Sequence, residues 1–499
     1  MSQLNASRRK FLRTASVVSG SVGAAAAPFA LNMASLGTAA AQTATNDYKA
    51  IVCMFLYGGN DSSHMVLRTD TASFAEYTRL RNTAPDSIAL LAPGTPVNNG
   101  AARASPARLG GVLPVVPKFT VSTENSPYTF AVHPSMPEVQ TLFGAGRLAI
   151  LANAGPLVVP LTRQEFTSNS KPRPQALGSH NDQQSTWQAL GPEGVKIGWG
   201  GRLGDLVASN NSNVTFTSIT IGGNAVFSAG ETVFQYQVGG GGSTAIGGLS
   251  GTLFNSMTAA TTMRSIVMAD NQHLFAKEYA QIVKRSVDAQ AAFQVAFAAT
   301  AAAGVVIAPT TYIQPSTGNA QQNGLAQQLQ TVVRVIAARN GIGTKRQVFF
   351  VSMGGFDTHD GQNMNQADLL ARISHAIGYL DAALANVNGV DMRNNVTMFT
   401  ASDFGRTITS NGDGTDHGWG SHHFVTGGAV NGGEIYGRFP IFGLNNNMDS
   451  ANNAYLPVTS VDTIGSTIGK WFGASDTNLD TVFPNLRNFS RDLGFLKAG

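Results

Sequence analysis

Short apolar runs that end in glycine or in polar residues recur along the chain, and each has the length of a buried strand. Longer segments with the helical spacing of apolar residues lie between them. The predicted strands are residues 50–57, 148–152, 216–221, 347–352 and 396–401, and the predicted helices are residues 137–144, 326–339, 365–386 and 461–472. This alternation predicts an α/β fold, with a largely parallel sheet and helices on both faces.

Two stretches interrupt the alternation. Residues 84–130 are rich in proline, alanine and asparagine, and we interpret them as an extended surface excursion. Residues 224–325 contain the glycine run 239–242 and then a helical segment over about residues 268–299. The glycines lack the Lys-Ser/Thr ending of a phosphate-binding loop, so a flexible loop is expected. We interpret this stretch as a Gly-rich and helical insertion in a single α/β domain over residues 47–499.

Residues 1–41 have the features of an export signal. Arg8 and Arg9 are followed by Lys10, by a weakly apolar stretch rich in alanine, glycine and serine, and by three alanines at 39–41. The paired arginines and the small-residue cleavage pattern indicate a twin-arginine signal peptide. The twin-arginine export machinery is therefore an expected partner, and the expected location is periplasmic or extracellular. No stable membrane span is expected in the mature protein, because no later run of about 20 apolar residues occurs.

Removing the signal changes the charge balance. The whole chain has a net charge of +4, and residues 1–41 hold four basic residues and no acidic one. The remaining chain is therefore neutral, which argues against nucleic acid as a partner, since binding to nucleic acid needs a basic surface. Cys53 is the single cysteine of the sequence, so an internal disulfide is excluded.

Candidate metal ligands follow three of the predicted strands. In open α/β sheets, ligands bind beyond the carboxyl ends of the strands. The first strand is followed by Asp61, the fourth by Asp357 and His359, and the fifth by Asp403, with His417 in the loop beyond. Carboxylates and imidazoles together bind divalent metals such as Zn, Mn, Fe or, through oxygen, Mg. We predict these five residues as metal ligands.

Two hydroxyl groups and one arginine complete the predicted catalytic site. Ser62 directly follows Asp61, and Ser179 precedes a predicted helix, whose dipole would favour a hydroxyl that attacks an anionic ester. Arg406 lies just past the fifth strand and is suited to hold a phosphate or sulfate oxyanion. The sequence has no Gly-x-Ser-x-Gly and no His-Glu-x-x-His motif, which disfavours the common serine hydrolases and zincins.

Plainer roles remain open for several of these residues. Ser179 and Asp403 are both suited to cap a helix or turn, and Asp61 is suited to an ordinary turn. A calcium loop over residues 411–416 is the weaker alternative for a metal, because it lacks the glycine and the bidentate glutamate of that motif. Three further histidines are expected to be structural, and these are His133, His273 and His375.

At these motifs the sequence resembles the domain-of-unknown-function 1501 family (DUF1501), whose members are exported bacterial proteins. The resemblance covers most of the chain in the same motif order. It is carried by the paired arginines and by Gly58-Gly59-Asn60-Asp61, Ser179-His180, Gly354-Gly355-Phe356-Asp357-Thr358-His359, Ser402-Asp403-Phe404-Gly405-Arg406-Thr407 and Thr415-Asp416-His417-Gly418. It implies a place near the alkaline phosphatase and sulfatase superfamily, with an alkaline-phosphatase-like core that binds divalent metals.

The resemblance to that superfamily implies ligand roles at some positions and departs at one. The matching positions are Asp61, Asp357, His359 and, as the final histidine, His417. Where the superfamily has Asp-His after a late strand, this chain has Asp403-Phe404. Three alternatives follow from that departure: the site binds one metal instead of two, it recruits His417 or His422, or catalysis has been lost.

Two functions fit these observations. The first is a metal-dependent hydrolase that acts on a small anionic ester, a phosphate or a sulfate, outside the cytoplasm. The second is a non-catalytic exported protein that keeps the fold to bind a ligand or to assist envelope assembly. Since a Gly-rich insertion suits a lid over a substrate as well as a partner surface, it does not distinguish between them.

Overall fold

The computed structural model describes residues 48–302 and 304–497, so the predicted signal peptide lies outside the described residues. The strands are β1 (Lys49–Leu56), β2 (Val66–Arg68), β3 (Leu113–Val115), β4 (Phe130–Val132), β5 (Leu148–Gly155), β6 (Ser218–Thr220), β7 (Tyr236–Gly239), β8 (Gly242–Ser243), β9 (Tyr312–Ile313), β10 (Ala320–Gln321), β11 (Arg346–Met353), β12 (Val396–Ser402), β13 (Ser421–Thr426), β14 (Ile435–Tyr436) and β15 (Thr459–Ser460).

The helices are mostly short, with two long ones among them. They are α1 (Ser62–Met65), α2 (Thr71–Arg81), α3 (Pro106–Leu109), α4 (Pro137–Gly144), α5 (Arg163–Thr167), α6 (His180–Ala189), α7 (Trp199–Val207), α8 (Met257–Val267), α9 (Leu274–Ala299), α10 (Gly324–Ala337), α11 (Gln362–Leu384), α12 (Val461–Phe472) and α13 (Asp476–Val482).

One large sheet organises the described residues. Its strand order is β14-β5-β13-β12-β1-β11-β6-β7-β8, with β15 beside β5. The pairs that involve β13, and the pair β7–β8, are antiparallel, and the other pairs are parallel. The predicted α/β fold with a largely parallel sheet is therefore confirmed.

β1 lies at the centre of the sheet and is buried on both faces. Its alternate residues Val52 and Met54 belong to a core that includes apolar side chains of α4, α10 and α11. Cys53 and Phe55 belong to a second core with side chains of α7 and α12. A strand covered on both faces needs apolar residues at every position, which explains the unbroken apolar run in the sequence.

The predicted elements of the main sheet are present, with small shifts at their ends. Helices α4 and α12 have the predicted bounds, and β6 is shorter than predicted because residues 214–216 form a 3₁₀ turn. In the segment 224–325, the predicted helix begins at Leu274, and α8 precedes it. The segment 84–130 contains β3, which joins β2 and β4 in a small antiparallel sheet.

None of the helices in the described ranges 48–302 and 304–497 is both long and apolar enough to cross a membrane.

Candidate functional site

The candidate site lies beyond the carboxyl ends of β11 and β12, the two strands that flank β1. The segment after β11 supplies Asp357 and His359, and the segment between β12 and β13 supplies His417. His180, the first residue of α6, reaches the same place. Four side chains from three parts of the chain therefore meet at one edge of the sheet, where sites in such folds are expected.

Asp357 occupies the centre of this group. Its Oδ1 lies 3.2 Å from His417 Nε2 and 3.1 Å from His359 Nε2, and these two nitrogens are 3.0 Å apart. Its Oδ2 lies 3.4 Å from His180 Nε2. We call these four residues the Asp–His cluster. The cluster is accessible to solvent, since 44% of the side-chain surface of both Asp357 and His359 is exposed.

Each imidazole of the cluster is held through its other ring nitrogen. In all three cases the partner is a carboxylate or a backbone carbonyl oxygen, which only accepts hydrogen bonds. Each Nδ1 therefore carries the proton and donates it, and each Nε2 of a neutral ring is left as an acceptor. The pairs are His180 with Asp403 Oδ2 at 2.7 Å, His359 with Asp416 Oδ1 at 3.0 Å, and His417 with the Gly178 carbonyl at 2.7 Å.

These tautomers leave three acceptor atoms facing one another, namely His359 Nε2, His417 Nε2 and Asp357 Oδ1. Electron-rich atoms at such distances repel unless a proton or a cation lies among them. Burial lowers the pKa of His417 below its ordinary value, although its backbone hydrogen bond acts the other way. A proton on His417 is thus disfavoured near neutral pH, and a cation among these atoms would satisfy all three acceptors.

The spacing of the cluster fits a metal ion. Ligand atoms at 2.0–2.2 Å from one ion lie roughly 2.8–3.6 Å from each other, from octahedral to tetrahedral geometry, and the separations around Asp357 fall in this range. The ligand atoms of His180, Asp357 and His417 all lie within 4.8 Å of one another. His359 adjoins two of these three residues and is a fourth candidate ligand. Imidazoles anchored by carboxylates or carbonyls at the second nitrogen are the usual arrangement at metal sites.

Two glycines let the backbone bring these loops together. Gly58 follows β1 with φ of +117°, and a Cβ there would lie 2.4 Å from the backbone nitrogen of Asp357. A Cβ on Gly414 would lie 2.4 Å from the backbone of His359. Arg406 and His417 form an antiparallel bridge, which fixes the loop that carries His417. The glycine turn after β1 thus supports the loop of Asp357.

Asp61 lies outside the Asp–His cluster and is buried. It caps α1 by accepting from two backbone N–H groups and forms an ion pair with the buried Arg81. Gln362 Nε2 also donates to its Oδ2 at 2.6 Å. Burial alone would raise the pKa of Asp61, but the charge and hydrogen bonds of Arg81 lower it. Its oxygens are therefore occupied by protein donors, as in the cap or turn alternative.

Gln362 links Asp61 to the site. Its Oε1 accepts from Thr415 Oγ1 at 2.7 Å, and the Thr415 carbonyl accepts from Arg406 Nη2. Arg406 in turn donates to Asp357 Oδ1 at 2.8 Å. Asp61 is thus connected to Asp357 through a buried chain of hydrogen bonds, which gives it a part in positioning the site.

Arg406 has no exposed side-chain surface, whereas Asp357 is open to solvent. Burial would raise the pKa of Asp357, but the hydrogen bond and charge of Arg406 lower it and keep the carboxylate ionised. The structure therefore places Arg406 as a partner of Asp357. Its guanidinium is already bonded within the protein, and a role toward an oxyanion stays a prediction.

The two predicted hydroxyls lie at different depths. Ser62 is buried in α1, with 2% of its surface exposed. Ser179 is at the N-cap position of α6, where its side chain makes no capping hydrogen bond and instead donates to Asp182 Oδ2 at 2.7 Å. Neither hydroxyl has a hydrogen bond to the Asp–His cluster within the described residues.

Asp403 contacts the cluster through His180. It is fully buried, and Gln184 Nε2 donates to the same Oδ2 at 2.9 Å. Burial raises its pKa above the ordinary value, against the opposing hydrogen bonds of Gln184 and His180. His180 was not among the predicted ligands, because it begins a helix and follows no strand. The signal that could have found it is the Ser-His pair at a predicted helix start.

Phe404 stands where the resemblance to the superfamily implies a histidine, and its ring is buried. Its centroid lies 4.6 Å from that of His417 and 5.0 Å from that of His180. His422 lies in β13, fully buried, and its Nδ1 accepts from the backbone of Asn153 at 3.0 Å. Of the two histidines considered as replacements, the structure therefore brings His417 to the site.

Among solved structures, the chain is similar to several sulfatases and related proteins. One is a Bacteroides thetaiotaomicron protein described with the metabolism of multiple glycosaminoglycans, at 10% identity and a TM-score of 0.32, covering 87% of this chain and 74% of that one. Ps i-CgsB matches at 9% identity and a TM-score of 0.33, covering 89% of this chain and 78% of that one. The PsFucS1 sulfatase from Pseudoalteromonas sp. matches at 10% identity and a TM-score of 0.31, covering 91% of this chain and 73% of that one.

No curated protein matches the sequence significantly. One family does match, over residues 48–482, which includes the sheet and every residue of the Asp–His cluster. Because this match spans most of the chain, the protein belongs to the family described as "Protein of unknown function (DUF1501)".

Proposed function

We propose that this protein is a metal-dependent hydrolase of phosphate or sulfate esters. One observation carries the proposal: three imidazoles, each anchored at Nδ1, direct their Nε2 atoms toward a single carboxylate, Asp357. Such a set of acceptors, open to solvent on one side, suits an ion that keeps a coordination position for water or substrate.

The donor set narrows the choice of metal. His180, His359, His417 and Asp357 supply three nitrogens and one carboxylate, a set that suits zinc, manganese or iron. Magnesium prefers oxygen ligands and fits this set least well. When bound, such an ion supplies Lewis acidity toward an ester oxygen and lowers the pKa of water.

The side chains of the protein then have defined tasks. Asp403, Asp416 and the Gly178 carbonyl hold the three imidazoles in their tautomers. Arg406 keeps Asp357 ionised. Because Ser62 is buried and Ser179 donates to Asp182, we favour water over a serine hydroxyl as the attacking group.

Metal content and hydrolysis test the proposal together. The protein is purified from its native compartment, its metals are measured by mass spectrometry, and aryl phosphates and aryl sulfates are offered as substrates. We expect about one equivalent of zinc, manganese or iron per chain. Asp357→Asn and His180→Ala should each lose the metal and the activity. His273→Ala, at an exposed position before α9, is the control and should keep both.

The outcomes separate the alternatives. Negligible transition metal together with no hydrolysis would reject the proposal. Metal that is bound but supports no hydrolysis of either ester class would favour the non-catalytic, ligand-binding alternative. Metal retained by both Asp357→Asn and His180→Ala would mean that it binds elsewhere.

We also propose that the site works outside the cytoplasm after twin-arginine export. This rests on the sequence of residues 1–41. Replacing Arg8 and Arg9 by lysine should leave an uncleaved precursor in the cytoplasm. Export of the double variant at the normal level would contradict the proposal.

A further inference from the structure

A second feature adjoins the Asp–His cluster. It is a cavity of about 270 Å³ between the end of β1, the outer side of α6 and the segments around residues 194 and 225. The side chains that characterise it are Tyr57, Asn181, Gln184, Gln188, Glu193 and Asn224. We call it the amide cleft, because four of these six side chains are primary amides.

The charge of the amide cleft is low. The described residues that line it include no lysine and no arginine, and Glu193 is its single acidic residue. Glu193 accepts a hydrogen bond from Asn181 Nδ2 at 3.4 Å. A cleft without a basic side chain has no positive charge to attract an anion. The anionic part of an ester is therefore expected at the metal site and not here.

Hydrogen-bonding capacity remains in the amide cleft. Gln184 uses its Nε2 on Asp403, and its Oε1 has no partner among the described residues. The Oδ1 of Asn224 accepts from Gln235, which leaves its Nδ2 as a donor. Tyr57 adds a half-buried aromatic ring and a hydroxyl. Burial raises the pKa of this hydroxyl to about 12, although its hydrogen bond with Gln188 acts the other way.

This combination of groups matches one class of ligand. Amide side chains both donate and accept, as do the hydroxyl groups of a sugar. An aromatic side chain contributes apolar contact area next to a polar hydroxyl. A neutral, polyhydroxylated ring uses the remaining donors and acceptors as well as the aromatic surface, whereas an aliphatic alcohol would use the aromatic surface alone.

Three short links join the amide cleft to the cluster. Asn181 directly follows His180 on α6. Gln184 and His180 share one oxygen of Asp403, at 2.9 and 2.7 Å. Tyr57 precedes Gly58, whose backbone packs against that of Asp357. The amide cleft is therefore a neighbouring place for the alcohol part of an ester that is bound at the cluster.

We propose that the amide cleft binds a sugar ring, which is the alcohol part of the ester that the Asp–His cluster hydrolyses. This inference rests on the proposed function. In the reaction, the oxygen of water joins the phosphorus or sulfur atom, the bond from that atom to the sugar oxygen breaks, and the sugar leaves with a proton from the water. The sugar hydroxyls next to the ester bind the amides and set the specificity.

Kinetics on two kinds of ester test the assignment. A 4-nitrophenyl ester presents no hydroxylated ring to the cleft, whereas glucose 6-phosphate or glucosamine 6-sulfate does. We expect Asn224→Leu to raise KM for the sugar ester about tenfold, with kcat and the kinetics of the 4-nitrophenyl ester unchanged. Tyr57→Phe should act in the same direction. Asn452→Leu, at an exposed asparagine outside the cleft, is the control and should change neither.

Binding of neutral sugars separates failure of the cleft from failure of the proposed function. Methyl α-D-glucopyranoside and methyl β-D-galactopyranoside are tested by saturation-transfer NMR on the full protein. A signal that Asn224→Leu removes supports the cleft even if no ester is hydrolysed. No signal with either glycoside, or an equal effect of Asn224→Leu on both kinds of ester, would overturn the assignment. Hydrolysis of 4-nitrophenyl esters in that case would leave the proposed function intact.

Discussion

The contact between Asp403 and His180 offers a direct test of how the cluster binds metal. Asp403 is buried, and its Oδ2 accepts from His180 Nδ1 at 2.7 Å. In Asp403→Asn, the side chain can present an N–H group to the same nitrogen. His180 would then accept at Nδ1 and carry its proton at Nε2, which is the atom that faces Asp357. A protonated Nε2 cannot bind a metal.

The size of the effect follows from this geometry. Partners that orient a metal-bound histidine typically contribute 10- to 100-fold to affinity, or about 1.4 to 2.7 kcal/mol. The free energy of unfolding, measured without metal, should rise or stay the same. Burial raises the pKa of Asp403, so the ionised group is disfavoured in the fold, and a neutral amide of the same shape removes that cost.

The assay measures metal affinity and stability separately. Zinc or manganese is titrated into metal-free protein, in competition with a chelator, and denaturant unfolding is followed without metal. Asp462→Asn is the matched control. Asp462 is also buried, burial raises its pKa to about 6, and it is the second residue of α12, away from the cluster. We expect weaker metal binding in Asp403→Asn alone, with metal-free stability equal to or above that of the wild type.

Two results would refute this reasoning. Metal affinity of Asp403→Asn within about threefold of the wild type would mean that the tautomer of His180 does not govern binding. Equal loss of affinity in Asp462→Asn would mean that the effect comes from general destabilisation.

Three further predictions follow from other contacts. Gly58→Ala should reduce metal binding and stability, because its Cβ would lie 2.4 Å from the backbone nitrogen of Asp357. Gly94 is the control, since it also has a positive φ but has no atom within 4 Å of the position of a Cβ. Gly94→Ala should cost only the backbone strain of about 1–3 kcal/mol and leave metal binding intact. Asp61→Asn should destabilise the protein by about 3–5 kcal/mol in denaturant unfolding, because it leaves the buried Arg81 without its carboxylate, and an unchanged free energy of unfolding would contradict this. Burial lowers the pKa of His422 to about 3, so this imidazole stays neutral in the folded protein. In the unfolded chain it takes up a proton below about pH 6.5. The contribution of the neutral His422 to the free energy of unfolding is therefore fully present above that pH and is smaller by about 2 kcal/mol at pH 5. His422→Gln should therefore lose less stability between pH 7 and pH 5 than the wild type, and equal losses in denaturant unfolding would contradict this.

The sheet could be predicted because burial on both faces leaves a clear pattern. Residues 50–56 are almost all apolar, and the structure buries every one of them in β1. Short elements left no such pattern. β2 and β3 have three residues each, which is too few to show a periodic pattern of apolar residues. For this reason the sequence predicts only a surface excursion over residues 84–130.

The site was predicted in part, for a similar reason. Asp357 and His359 follow a buried strand and a glycine turn, and His417 lies in a small-residue loop, so their positions indicated a site. Asp61 also follows a strand, but its carboxylate forms an ion pair with Arg81. The sequence position of Asp61 does not reveal that partner. His180 begins α6, and only the three-dimensional packing brings that helix end to the site.

The charges around the cluster give an independent reason to expect a divalent ion. Asp357, Asp403 and Asp416 contribute three negative charges, and Arg406 contributes one positive charge, so neutral histidines leave the group at two negative charges. Two protonated imidazoles or one divalent cation would balance it. Burial lowers the pKa of His417, so a proton on that imidazole is disfavoured near neutral pH. A divalent metal both balances the charge and occupies the acceptor atoms that the anchored imidazoles direct at Asp357.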